Sequence, residues 1–229
     1  MRITALEPQA RNPDRVNVYV DGEFRCGLAL EIAYGGGLRV GDEVTEETLA
    51  ALEREDLVWR AREAALNLLS YRARSAAELR RRLRRKDFPD DVVDRCVADL
   101  AAKGLVDDAA FAASWVRDRV RGRPRGARRL VQELRAKGVD QETAAAAVQE
   151  TLAAEDVTEL ELARDAASAW ARRAFGGRGA PARMDAESRQ TAKRRLYGYL
   201  ARRGFAGEVI RVVMDEVLRT ESDRRANNN

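Results

Sequence analysis

A mainly α-helical fold, built as three consecutive three-helix repeats behind a small β-rich extension, is what this sequence predicts. Three observations lead there. The 229 residues are 45% hydrophobic and 35% charged, rich in Ala, Leu, Arg and Glu with only five prolines, which is the make-up of a folded, helix-forming chain. Alternation of apolar and polar residues is confined to the first stretch, about 1–48. Beyond it one pattern recurs three times, in "ELRRRLRRKDFPDDVVDRCVADL" (78–100), "RLVQELRAKGVDQETAAAAVQETL" (129–152) and "RLYGYLARRGFAGEVIRVVMDEVL" (195–218).

The extension comes first. "VNVYVDGEFRCGL" (16–28) alternates on both sides of Asp21-Gly22, a dipeptide that supplies the positive φ angles of a tight hairpin turn. "ITALEPQ" before it can add a third strand, and "LRVGDEV" (38–44) reads as another short extended piece. Thr45 followed by Glu46 and Glu47 marks a helix start.

In the repeats, Leu83, Leu134 and Leu200 align, each with a leucine four residues earlier at Leu79, Leu130 and Leu196. That spacing puts two leucines on one helical face. Lys86, Lys137 and Arg203 follow, then the turn residues Asp87, Gly138 and Gly204, then the apolar anchors Phe88, Val139 and Phe205. A glycine in the left-handed conformation ends a helix and lets the next residue pack back on it; Asp87 takes that place at some cost. A second amphipathic run completes each pair, and a further helix precedes it at about 49–72, 107–121 and 157–175. Ser75 and Glu78 form a capping box for the first middle helix. The expected division is therefore 1–48 for the extension, 49–106, 107–154 and 155–220 for the repeats, and 221–229 for a disordered polar tail. The stretch "FGGRGAPARMDAES" (175–188) reads as a long loop enlarging the third repeat.

Several chemistries drop out. The chain has no histidine, so His-based nucleophile pairs, general bases and metal ligands are excluded. "GGGL" (35–38) and "FGGRGAP" (175–181) lack the Lys-Ser/Thr of a phosphate-binding loop and read as connections. The pairs Asp90-Asp91 and Asp107-Asp108 stand at helix starts, where acids meet the positive end of the dipole. Cys26 and Cys96 lie in apolar patterns and read as buried thiols. No catalytic residue, metal or cofactor is expected. The start "MRITALEPQ" has no apolar export signal and no apolar run reaches membrane-spanning length, so the expectation is a cytoplasmic protein without membrane contact.

What remains is charge. The formal net charge is only +4, but the basic residues are gathered. Residues 72–86 carry eight cations against one acid, 117–137 nine against two, and 189–203 six against none. Each segment overlaps the middle helix of a repeat. One such run is ordinarily a solvated helix face. Three in the same place suggest a surface for a polyanion or an acidic protein, because like charges crowded on a helix destabilise it unless something offsets them. Arginine outnumbers lysine 38 to 4, so biased nucleotide composition contributes to the count. Base-reading residues are sparse there (Gln132, Gln190 and Thr191), and arginine alone grips phosphate or carboxylate without reading sequence. Trp59, Trp115 and Trp170 fall in the first helix of each repeat and read as packing residues.

"ALNLLSYRARSAAELRRRL" (65–83), "GLVDDAAFAASWVRDRV" (104–120) and "RGARRLVQELRAKGV" (125–139) resemble the RecX family, regulators of the RecA recombinase. The likeness covers roughly 60–218, and the β-rich start resembles the extension many members carry. The combined R-x-x-S-x-x-E-L and D-D-x-x-F-A runs are its most specific part. The third repeat, with its long loop, and Asp87 in place of glycine depart from the usual pattern. The resemblance implies three three-helix units without enzymatic activity. It also implies binding in the groove of the RecA–DNA filament, modulation (mainly inhibition) of ATP hydrolysis, strand exchange and co-protease activity, and weak or indirect contact with single- or double-stranded DNA. The charge pattern adds a candidate contact: Arg80, Arg81, Arg84 and Arg85 with Arg121, Arg123, Arg125, Arg128 and Arg129, basic ridges able to bridge successive protomers. The alternative is a helix–turn–helix transcription regulator with the hairpin as a wing, since "ADLAAKGLVDDAAFAASW" passes as two helices joined by a Gly turn. A plain architectural nucleic-acid binder is a third reading.

Overall fold

The computed structural model describes residues 1–176 and 185–218. Most of the expected 175–188 loop and all of the 221–229 tail lie outside that range. The chain divides into two compact units, Met1–Asp107 and Asp108–Asn229.

The first unit opens with an antiparallel sheet of β1 (Ile3–Gln9), β2 (Asn12–Val20) and β3 (Glu23–Ala29) in that order. The β2–β3 turn is the Asp21-Gly22 dipeptide, with φ of 49° and 89°. Alternation on β2 sends Val16, Val18 and Val20 inward, where they join Ile3, Cys26 and Leu28 in one core. "ITALEPQ" is thus a strand, as its pattern suggests. "LRVGDEV" is not: only Glu43 pairs, in an isolated bridge with Arg2, because Gly41 (φ 98°) turns the chain. A short helix that the sequence pattern did not announce, α1 (Leu30–Gly35), follows β3 and buries Ala33 under the sheet.

Helix α2 (Glu46–Tyr71) begins where Thr45 caps it, the hydroxyl accepting from Thr48 N–H. Its 26 residues serve two cores in succession. Leu49 and Leu52 pack under the sheet, while Val58, Ala61 and Ala65 pack against α3 (Ala76–Arg84) and α4 (Asp90–Ala102). Between the two cores sits Asp56, only 4% exposed. It accepts from Ala29 N–H at 2.7 Å and pairs with Arg15 Nη2 at 2.9 Å. Both carboxylate oxygens are occupied, which is the condition for burying an acid. The sheet therefore docks on the helix that begins the first repeat.

The second unit holds α5 (Asp108–Gly122), α6 (Ala127–Ala136) and α7 (Gln141–Ala154), then α8 (Glu159–Ala174), α9 (Ala186–Arg202) and α10 (Gly207–Val217). Asp185 caps α9, so Ala186 to Ser188 are helical rather than part of a loop. The repeat signature has one geometry throughout. Asp87, Gly138 and Gly204 adopt φ of 62°, 87° and 80°. The N–H groups of Phe88, Val139 and Phe205 return to the carbonyls of Leu83, Leu134 and Leu200, and those of Asp87, Gly138 and Gly204 to Arg84, Arg135 and Ala201. This is the two-bond C-terminal cap. The aligned leucines are fully buried in all three repeats.

Repeats two and three meet within this unit. Gly126 N–H donates to the Arg203 carbonyl at 2.9 Å. A Cβ at Gly126 would lie 2.2 Å from the Gly204 carbonyl oxygen, so the approach requires glycine. Both cysteines are buried and free. The tryptophans are half-buried and each meets a neighbour: Trp59 Nε1 donates to Glu31, Trp115 packs with Phe111, and Trp170 with Phe175.

Candidate basic surface

On α3 the helical period sorts the charges. Leu79 and Leu83 face the core. Arg80 Nε lies 2.9 Å from Asp94 Oδ1, and Arg84 Nε 2.7 Å from Asp90 Oδ1, so α4 supplies an acid for each flanking arginine. The Asp90 hydrogen bond raises the Arg84 pKa further above its usual value. At the start of the helix, Ser75 accepts from Glu78 N–H, and the buried Glu78 pairs with Arg72 at 2.9 Å. Arg74 donates through Nε to the Leu68 carbonyl, and burial, then the charges of Arg72 and Arg82, lower its pKa. Arg81, Arg82, Arg85 and Lys86 remain. All four are exposed, and none forms an ion pair among the described residues. Arg81 and Arg82 lie in the last turn of α3, Arg85 caps its end and Lys86 stands in the turn that follows.

The second repeat is arranged around one acid. Glu133 on α6 takes Arg119 Nε at 3.2 Å, Arg129 Nε at 3.4 Å and Arg125 Nε at 3.6 Å, and Trp115 Nε1 donates to it at 3.4 Å. Arg125 Nε is buried and has no hydrogen-bond partner. Burial, then the neighbouring Arg203, lower the Arg125 pKa. Arg119 and Lys137 both lie over the Trp115 ring, at 3.8 and 4.1 Å from its centroid. Arg121 reaches Glu155 at 3.3 Å. Arg123 and Arg128 are exposed and form no ion pair among the described residues.

In the third repeat Arg203 Nη1 donates to the Pro124 carbonyl, and its guanidinium lies 4.5 Å from the Tyr199 ring centroid. Arg173 approaches the same ring and donates to the Tyr199 hydroxyl.

Of the nine arginines named from sequence, five thus have an acid partner among the described residues (Arg80, Arg84, Arg121, Arg125 and Arg129) and four have none there (Arg81, Arg85, Arg123 and Arg128). Sequence reasoning passed over Arg82 and Lys86 as contacts, the first in the last turn of α3 and the second in the turn that follows. It also passed over Arg119 and Glu133, which organise the second cluster. The i, i+4 spacings Trp115–Arg119 and Arg129–Glu133 were the available signals.

Fold and charge together define a helical-repeat protein: a small sheet seated on a long helix, then three-helix repeats whose middle helices are rich in arginine. Four family models match it in chain order. They are the Regulatory protein RecX N-terminal domain over residues 1–45 and the first, second and third three-helix domains of RecX over 61–100, 107–148 and 161–214. Regulatory protein RecX of Thermobifida fusca is 40% identical over 165 residues, 71% of this chain and 82% of that one. Regulatory protein RecX of Clostridioides difficile is 29% identical over 216 residues, 94% and 95% of the two chains. A crystal structure of regulatory protein RecX superposes with a TM-score of 0.72 at 25% identity, covering 93% of this chain and 98% of that one. The chain belongs to the RecX family of regulatory proteins.

Proposed function

We propose that the protein is a non-catalytic, cytoplasmic regulator that binds the RecA–DNA filament and mainly inhibits its ATPase, strand-exchange and co-protease activities during recombination and repair. Family membership supports the partner. The observation that carries the surface is the open basic end of α3 and the turn after it, where Arg81, Arg82, Arg85 and Lys86 have no ion pair among the described residues. Holding like charges side by side is unfavourable in the free protein, and an acidic or phosphate-bearing partner offsets it. Arg80, Arg81, Arg84 and Arg85, with Arg121, Arg123, Arg125, Arg128 and Arg129, form the contact in this reading. Those already paired inside the chain orient the surface, and those without a partner meet the filament. DNA contact is secondary and reads no sequence, since guanidinium groups bind phosphate irrespective of base. A bound regulator changes filament activity only by favouring one filament geometry over another.

The experiment is RecA ATP hydrolysis on single-stranded DNA with the protein added at substoichiometric amounts. The expected result is a fall in rate that saturates well below one copy per RecA. No change in rate, together with a salt-resistant preference for one duplex sequence, overturns the proposal in favour of a transcription regulator.

A further inference from the structure

A recess of about 500 Å³ opens in the first unit where β2, α1 and α2 meet, lined by Asp14, Leu30, Glu31, Tyr34, Trp59 and Glu63. Two aromatic rings and a leucine form its walls, Tyr34 being 66% exposed and Trp59 half-buried. Its charges are all negative. Asp14, Glu31 and Glu63 are exposed and form no ion pair among the described residues. Elsewhere in the same unit Glu53, Glu55, Asp56, Glu78, Asp90 and Asp94 each meet an arginine. Trp59 Nε1 donates to Glu31 Oε2 at 3.1 Å. The second repeat holds the same kind of pair, but filled. There Trp115 Nε1 donates to Glu133 at 3.4 Å, and Arg119 lies 3.8 Å over the indole while its Nε reaches that carboxylate at 3.2 Å. An indole and the carboxylate it holds thus seat a guanidinium on two sides, the ring below and the oxygens at the edge. Trp59 has the carboxylate and, among the described residues, no cation over its ring.

We propose that this recess is a docking site for an arginine side chain projected by a partner protein. The guanidinium stacks on Trp59 and bonds Glu31, Asp14 and Glu63 complete the countercharge, and Tyr34 and Leu30 cover the aliphatic stem. Arginine suits the seat better than lysine, because its planar group stacks on a ring and reaches carboxylate oxygens at once, whereas an ammonium is a strongly hydrated point charge. A metal ion suits it less, since no three acids among the described residues stand close enough together to hold one. The inference goes beyond the filament reading: it gives the junction of the β-rich extension with α2 a contact opposite in sign to the basic surface, one that repels nucleic-acid phosphate.

The test is an NMR titration of the nitrogen-15-labelled full chain with N-acetylarginine methylamide, at about 0.15 M salt so that long-range attraction is screened. The chain has three tryptophans and so three indole N–H signals, and Trp59→Phe identifies the one that reports the recess. That signal should move and saturate while those of Trp115 and Trp170 stay in place. The neutral isostere N-acetylcitrulline methylamide should move none of them, and the lysine analogue should bind several-fold more weakly. Asp14→Asn with Glu63→Gln, both exposed, should weaken arginine binding about fivefold. Tyr34→Leu should weaken it about threefold. Circular dichroism checks each variant, and the titrations of the unaltered chain decide if a variant does not fold. No saturating shift at Trp59, or equal shifts from the citrulline or lysine analogue, overturns the proposal. So does tighter binding of magnesium ion or of spermidine, which assigns the acids to a metal or to a free polyamine. RecA is absent throughout, so either result leaves the ATPase assay free to succeed or fail by itself.

Discussion

In the first repeat, Arg80 and Arg84 each meet their own acid on the following helix, while in the second, Arg119, Arg125 and Arg129 converge on Glu133. The two basic segments, 72–86 and 117–137, carry the same net charge of +7. Their helices also begin differently. Helix α3 is capped by its own Ser75, whereas α6 begins at Gly126, whose N–H is tied to the Arg203 carbonyl of the third repeat. Equal charge thus leaves open cations at the end of α3 and in the turn after it, and a cluster with a shared counterion where α5 and α6 meet. Net charge says how many cations a segment has; the neighbouring acids decide which of them a partner can reach.

The largest way to break the second arrangement is Gly126→Ala. With no room beside the Gly204 carbonyl, it should cost roughly 3 kcal/mol or more in urea denaturation of the full chain. Next comes Glu133→Ala, which strands three arginines, one with a buried Nε, and should cost about 2 kcal/mol. Its counterpart in the first repeat, Asp94→Ala, removes an exposed one-to-one pair and should cost less than about 1 kcal/mol. Similar losses at Glu133 and Asp94 would erase the distinction between shared and dispersed pairing. Asp87→Gly should gain about 0.5–1 kcal/mol, since Asp87 holds a φ of 62° where the equivalent positions are glycine.

The thiols give the smallest effect, as a control within the first unit. Burial pushes Cys26 in the sheet core and Cys96 in the helical core up to about 11. Both should resist thiol reagents near pH 8 until the fold opens. A raised thiol pKa stabilises the fold below the ordinary value of 9.0, and that contribution is lost as pH rises towards 11. Rapid labelling of the native protein at pH 8 would contradict the burial.

Features carried by short-range pattern were legible in the sequence. Asp21-Gly22 announced its hairpin, and the Leu79/Leu83 spacing with Asp87 and Phe88 announced the helix-and-cap unit and its recurrence. Helix α1 was hidden because six residues running into Gly35, Gly36 and Gly37 are too short to show a period. The 38–44 piece failed because its alternation is broken by a turn at Gly41. The basic segments were visible, but the partners of their arginines were not. Arg80 meets Asp94 at 14 residues' distance, Arg119 meets Glu133 at 14, and Arg121 meets Glu155 at 34. Pairing between elements depends on how helices pack, which a charge count does not contain.

The claim that open cations, rather than paired ones, engage RecA is tested most directly by two charge-reversed proteins in the same ATPase assay. One carries Glu at Arg81, Arg85, Arg123 and Arg128, the other Glu at Arg80 and Arg84, each checked for intact helical circular dichroism. The account predicts that the first loses inhibition of RecA and that the second retains most of it. Full inhibition by the first, or equal loss in both, would contradict it.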